Sequence, residues 1–147
     1  MIWNDMGKMV DDKWRELKIR FSQIELDEYV IMPNHFHGII IVGATLVVAQ
    51  KNIITQHERA GTRPAPTQRA TIGDIVGAFK SITTDQYING VNTNNWQPFN
   101  SRLWQRNYYE HVIRNEDELD EVRQYISDNP AKWGVDVENP DVKPSQP

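Results

Sequence analysis

Two runs of β-type residues stand on either side of a two-residue turn, and this feature constrains the fold more than any other. Ile24 to Met32 (IELDEYVIM) alternates apolar with polar residues and then becomes continuously apolar, as a strand entering a core does. His35 to Val42 (HFHGIIIV) is rich in β-branched residues, and Pro33-Asn34 between the runs is a turn signal. The arrangement predicts an antiparallel hairpin. A hairpin alone is marginal in water, so its apolar side chains need cover from other parts of the chain.

That cover is legible as helices. From about Asn4 to Arg20, Met6, Met9, Val10, Trp14 and Leu17 recur near 3.6-residue spacing. A second helix begins at Thr71, which can cap it against Asp74, and carries Ile72, Ile75, Val76 and Phe79 as its stripe. Asn89-Gly90 and the Asn-rich run 92–95 read as a loop, and Leu103 to Ile113 (LWQRNYYEHVI) as a further strand. Asn115-Glu-Asp-Glu118 opens a last helix through about Asp128, which Pro130 ends. The expected class is α+β, with helices packed on one face of an antiparallel sheet. Residues 1–133 form the expected domain, residues 43–70 read as an insertion or mobile loop within it, and residues 134–147 as a C-terminal tail.

Composition narrows the function classes. The chain has 147 residues and no Cys, which excludes disulfides and thiolate metal sites. Its longest apolar stretch, about ten residues from Gly38, is too short to span a bilayer. No membrane association and a cytoplasmic location are therefore expected. The net charge of -4 is unhelpful for binding nucleic acid, but it is segregated. Residues 115–147 hold nine acidic and three basic side chains, while residues 1–114 hold 13 basic and 11 acidic ones. The first part can favour phosphates, or the last part can simply be a solvated acidic helix and tail.

Three features carry possible chemistry. In His35-Phe36-His37, strand alternation puts both imidazoles on one face and Phe36 on the other. The two rings can grip one metal ion, although an isolated pair of this kind is equally readable as packed or surface histidines. Tyr125 and Asn129 stack on one helix face, next to a buried stripe of Leu119, Val122 and Ile126. They read either as core filler and a helix cap, or as a nucleophile with an oxygen ligand beside it. Trp104-Gln-Arg-Asn-Tyr-Tyr-Glu-His111, followed by Arg114, offers Trp104, Tyr108 and Tyr109 for base stacking and Arg106 and Arg114 for phosphate. Lys80 and Arg102 are further phosphate candidates. His111 can be hydrogen-bonded within a sheet, and His57 falls in the polar insertion.

Taken together, Val30-Ile-Met-Pro-Asn-His-Phe-His-Gly38, Gly73-Asp-Ile-Val-Gly-Ala-Phe-Lys-Ser81, Leu103-Trp-Gln-Arg-Asn-Tyr-Tyr-Glu-His-Val-Ile-Arg-Asn115 and Tyr125-Ile-Ser-Asp-Asn-Pro130 resemble the REP-associated tyrosine transposases, members of the single-tyrosine HUH transposase superfamily. The resemblance covers about residues 4–42 and 70–133. It implies a ferredoxin-like antiparallel sheet, of which the usual first strand is missing here because the chain opens almost directly into its first helix. It implies Mg2+ or Mn2+ held by His35, His37 and Asn129, and Tyr125 as the catalytic nucleophile. It also implies nicking and strand transfer of hairpin-forming single-stranded DNA, the repetitive extragenic palindromes, through a 5′-phosphotyrosine intermediate. The missing strand gives weight to an alternative, a truncated or domesticated palindrome-binding protein without catalytic activity. Homodimer and monomer both remain open.

Overall fold

A computed structural model describes residues 3–42, 70–136, 139, 141 and 142 of the chain. Helix α1 spans Asp5–Arg20, strand β1 Ile24–Ile31 and strand β2 Phe36–Val42. Helix α2 spans Ile72–Thr93 and helix α3 Glu116–Lys132, followed by a 3-10 turn, Trp133–Val135. The class is α+β. Of the expected insertion at 43–70, residues 43–69 lie outside the described residues, as does most of the expected tail. Among the described residues, no helix is long and apolar enough to cross a membrane.

The helices begin where their caps are. The Asn4 side chain accepts from the Gly7 backbone N–H, and the Asn115 side chain from that of Glu118. Thr71 and Asp74 form a reciprocal capping box on α2. β1 and β2 pair antiparallel across Pro33-Asn34, and the Met32 N–H donates to the His35 carbonyl to close the turn. Leu26 faces Ile40 and Tyr29 faces Gly38, so β1 holds one extra residue at a bulge around Asp27 and Glu28.

The expectation that the helices pack on one face is corrected. Both faces of the hairpin are apolar, and each has its own cover. On one face Ile24, Leu26, Tyr29, Phe36 and Ile40 meet Trp14 and Leu17 of α1 and Ile75 and Phe79 of α2. On the other, Val30, Met32, Ile39 and Ile41 meet Leu119, Val122 and Ile126 of α3. The continuous apolar runs at Tyr29–Met32 and Ile39–Val42 explain this arrangement, because one layer of helices would leave every second residue wet. Gly38 allows the closest approach: a Cβ there would stand 2.7 Å from the Trp14 ring.

Three further expectations give way to tertiary context. α2 continues through Asn89-Gly90 to Thr93, because Gly90 lies under the Trp96 ring, where any side chain would collide. α3 continues through Pro130 to Lys132. Pro130 stands in the last turn, where it forfeits one backbone bond, to the Ile126 carbonyl, and Lys132 pairs there with Asp128. Residues 103–113 form no strand and bend at Leu103, Trp104 and Arg106. Among the described residues the sheet has two strands, and none precedes α1. Residues 103–113 pair with neither outer edge of the hairpin, so the wider ferredoxin-like sheet is not assembled among the described residues.

Candidate metal and nucleophile site

The α3-covered face of the hairpin gathers the four residues that the sequence singled out. His37 shares this face with Val30 and Ile39, while Phe36 points into the aromatic core on the other side. The His35 and His37 rings stand 4.9 Å apart, edge to face. Metal–nitrogen bonds of about 2.1 Å would give two imidazoles sharing one ion a similar ring separation. The Tyr125 ring lies 5.5 Å from that of His37, also edge to face, and Trp133 backs His35 at 5.9 Å. Histidine–histidine–tyrosine contact thus runs unbroken from the turn to α3.

Asn129 lies one turn beyond Tyr125 and is 4% exposed, and its Oδ1 has no hydrogen-bond partner. A buried amide oxygen left unpaired costs about 1–3 kcal/mol. Tyr125, by contrast, is 53% exposed, so its hydroxyl is open to a large substrate. Helix α3 therefore buries an unpaired amide oxygen one turn from a phenol that meets His37. Among the described residues no three His, Cys, Asp or Glu side chains cluster as a metal site. A cation here would rely on two imidazoles, an amide oxygen and water or substrate oxygens, a nitrogen–oxygen donor set that suits a hard divalent ion with open positions.

Two residues missed by sequence reasoning hold this geometry. Asn34 Oδ1 is 2.7 Å from His35 Nδ1, so that nitrogen carries the proton and Nε2 keeps its lone pair. A turn asparagine directly before a histidine was the available signal. Arg123, two residues before Tyr125, reaches Asp27 in the β1 bulge, with Nη2 at 2.6 Å and Nε at 3.2 Å from the same carboxylate oxygen. The guanidinium holds the Asp27 carboxyl below its ordinary range. The bulge turns Asp27 toward α3, and the ion pair ties the tyrosine helix to the histidine hairpin. The partners lie 96 residues apart, with no local signature.

The candidate DNA contacts fall into two groups. Lys80 and Trp104 are committed to the protein. Lys80 Nζ donates to the Gln105 carbonyl at 2.8 Å and sits 5.5 Å from the centre of the Tyr108 ring. The Trp104 indole N–H donates to the buried Thr83 hydroxyl at 2.8 Å, and its ring packs on Phe79. Both residues hold the 103–108 segment against α2. Arg102, Arg106, Tyr109 and Arg114 are exposed, Tyr109 to 90%. Tyr108 is half-exposed, and desolvation, with Glu110 adding to it, lifts its phenol above the ordinary range, which makes it a poorer nucleophile. His111 bonds Glu118 at 2.6 Å rather than a sheet neighbour, and this contact joins the segment to the start of α3.

An uncharacterized protein of Haemophilus influenzae is 39% identical over 136 residues, which cover 90% of this chain and 69% of that protein. The chain belongs to that protein's family. No protein-family profile matches the chain, and no solved structure matches it.

Proposed function

We propose that the protein is a metal-dependent, single-tyrosine nicking and strand-transfer enzyme acting on hairpin-forming single-stranded DNA. The observation that carries this reading is the contact of the exposed Tyr125 with His37, beside His35 and the unpaired, buried Asn129 oxygen. His35, His37 and Tyr125 are in ring contact, and Asn129 lies one helical turn from Tyr125 with its buried oxygen unpaired.

Mg2+ or Mn2+ held by His35, His37 and Asn129 would polarise the scissile phosphate. The chain's own residues supply the rest. The Tyr125 oxygen attacks phosphorus and its proton passes to solvent, to which this side chain is open. The P–O3′ bond breaks, the 3′ oxygen takes up a proton and leaves as a hydroxyl, and the phosphate remains joined to Tyr125 and the 5′ side of the break. Attack by a 3′-hydroxyl on that phosphotyrosine reverses the exchange and joins strands. Asn34 keeps His35 in one tautomer, and the Asp27–Arg123 pair fixes the distance from α3 to the hairpin. Arg102, Arg106, Arg114 and Tyr109 offer charge and one aromatic face along the path of the strand. A cytoplasmic location is consistent with such a substrate.

The test is incubation of a labelled hairpin oligonucleotide with the protein and Mn2+ or Mg2+, followed by denaturing electrophoresis. A covalent protein–DNA band that chelator abolishes is expected, and Tyr125→Phe should bind the hairpin yet form no band. A band persisting in Tyr125→Phe would remove Tyr125 from its role. One observation favours a second reading, a binding protein without cleavage: among the described residues the sheet has two strands and residues 103–113 do not extend it. Hairpin binding with no cleavage under any divalent ion would establish that alternative.

A further inference from the structure

The two histidines of the site are backed by different side chains. His37 has the Tyr125 ring at 5.5 Å, and that residue is exposed. His35 has the Trp133 ring at 5.9 Å, tilted by 51°. Trp133 also packs against the cluster of Val30, Met32, Ile39 and Ile126. It follows α3 directly and opens the 3-10 turn Trp133–Val135. Its carbonyl accepts two bonds, from the Asp136 backbone N–H at 3.2 Å and from the Asn139 side-chain amide at 2.9 Å. Asn139 is 7% exposed, although its stretch of sequence reads as a tail. Its Oδ1 accepts from the Asp141 N–H at 3.0 Å, its own backbone N–H donates to the Asp136 carbonyl, and its carbonyl accepts from the Val142 N–H. The chain after α3 is thus gathered around one buried asparagine, whose side chain holds the residue that carries the indole beside His35.

Resting on the reading that His35 binds a metal ion, we propose that Trp133 is a positioning residue for His35 and that Asn139 sets Trp133 in place. The bond between His35 Nδ1 and Asn34 Oδ1, at 2.7 Å, fixes one nitrogen but lets the ring swing about that contact. Asn34 is exposed, so water competes for the same bond. The Trp133 indole and the His37 ring, 4.9 Å from His35, restrict the swing. An apolar ring beside the bond also keeps water from it, which strengthens it. Ordering a free side chain consumes part of any binding energy, and a ligand held in place beforehand avoids that loss. The backing must also outlast the reaction. Tyr125 cannot serve as a fixed wall, because its oxygen must reach phosphorus. Trp133 takes no part in bond making, so it keeps His35 in place while Tyr125 moves.

The test uses two readouts, both without DNA. Nitrogen-15 NMR of the metal-free protein, at about pH 8 where imidazoles are neutral, reports which ring nitrogen of His35 carries its proton. Titration with Mn2+, followed by electron paramagnetic resonance of the free ion, reports affinity. The unaltered protein should show His35 only as the Nδ1–H tautomer. Trp133→Leu keeps apolar bulk but removes the ring. It should let the Nε2–H tautomer appear and weaken Mn2+ binding about tenfold, the lower end of the effect of losing an outer-shell partner. Trp133→Phe should restore most of both. Asn139→Ala should move both readouts in the same direction, and it decides the question if Trp133→Leu does not fold. Val135→Ala, exposed on the same turn, should move neither. A tautomer and an Mn2+ affinity unchanged in Trp133→Leu and Asn139→Ala would overturn the proposal and leave the metal reading intact. Failure of the unaltered protein to bind Mn2+, with a His35 tautomer that still depends on Trp133, would instead overturn the metal reading and leave the positioning role standing.

Discussion

The two faces of the β1–β2 hairpin alternate along the same strands, yet they are finished to different standards. On the α1–α2 face Trp14, Leu17, Ile24, Ile75 and Phe79 are almost fully buried, with Trp14 in ring contact with Tyr29, Phe36 and Phe79. On the α3 face a smaller aliphatic cluster ends at half-buried histidines, an exposed tyrosine and an amide oxygen without a partner. Burying each large apolar side chain contributes roughly 1.5–3 kcal/mol, so the closed face readily offsets the cost of the Asn129 oxygen and of its own unpaired Trp14 indole N–H. Neighbouring residues such as Phe36 and His37 can thus serve stability and chemistry separately, because their side chains never share an environment.

Substitutions on each face test this division. The largest effect is expected from His37→Ala, which should reduce metal-dependent nicking by more than the roughly 10–100-fold that loss of an outer-shell partner costs. Asn34→Ala should fall within that 10–100-fold range, read as metal affinity by titration calorimetry. Asn129→Leu should reduce nicking less than His37→Ala does while holding or raising the thermal midpoint, because an apolar side chain of similar size removes the unpaired oxygen. A fall in midpoint would mean that Asn129 belongs to the packing. Gly38→Ala should act in the opposite sense, destabilising by about 1–3 kcal/mol through collision with Trp14, as measured by denaturant unfolding.

The smallest effect concerns the link between the faces. Arg123 lowers the Asp27 pKa, so this carboxylate's contribution is fully present above its unfolded value of about 3.9 and is lost as pH falls through the lower native value. Asp27→Asn should therefore reduce stability near neutrality and flatten the acid limb of a pH–stability curve. An acid limb unchanged in Asp27→Asn would show that the pair adds nothing to holding α3.

What was legible in the sequence was local. Asn4, Thr71 and Asn115 announce their helices because a cap is satisfied three residues away. The hairpin and the shared side of His35 and His37 follow from a period of two, and the stacking of Tyr125 and Asn129 follows from helical spacing. Long-range outcomes were hidden. Gly90 remains helical because of Trp96, and residues 103–113, rich in β-type side chains, are held to α2 and the start of α3 instead of pairing with the hairpin. That Tyr125 would stand over His37 required knowing which face α3 covers, and the Asp27–Arg123 pair that holds it there has no sequence signature.

The alternation of Phe36 with the histidines has a consequence for folding errors. A one-residue slip in the pairing of β1 with β2 would turn every β2 side chain to the opposite face. Phe36 would point at α3, and an imidazole would enter the Trp14–Phe79 core without a polar partner. The same error that dismantles the site also dismantles the larger core, so a stable but miswired protein has no minimum to occupy. Folding thereby acts as a proofreader of function: chains that reach the closed aromatic core have, by the same register, placed both histidines on the α3 side.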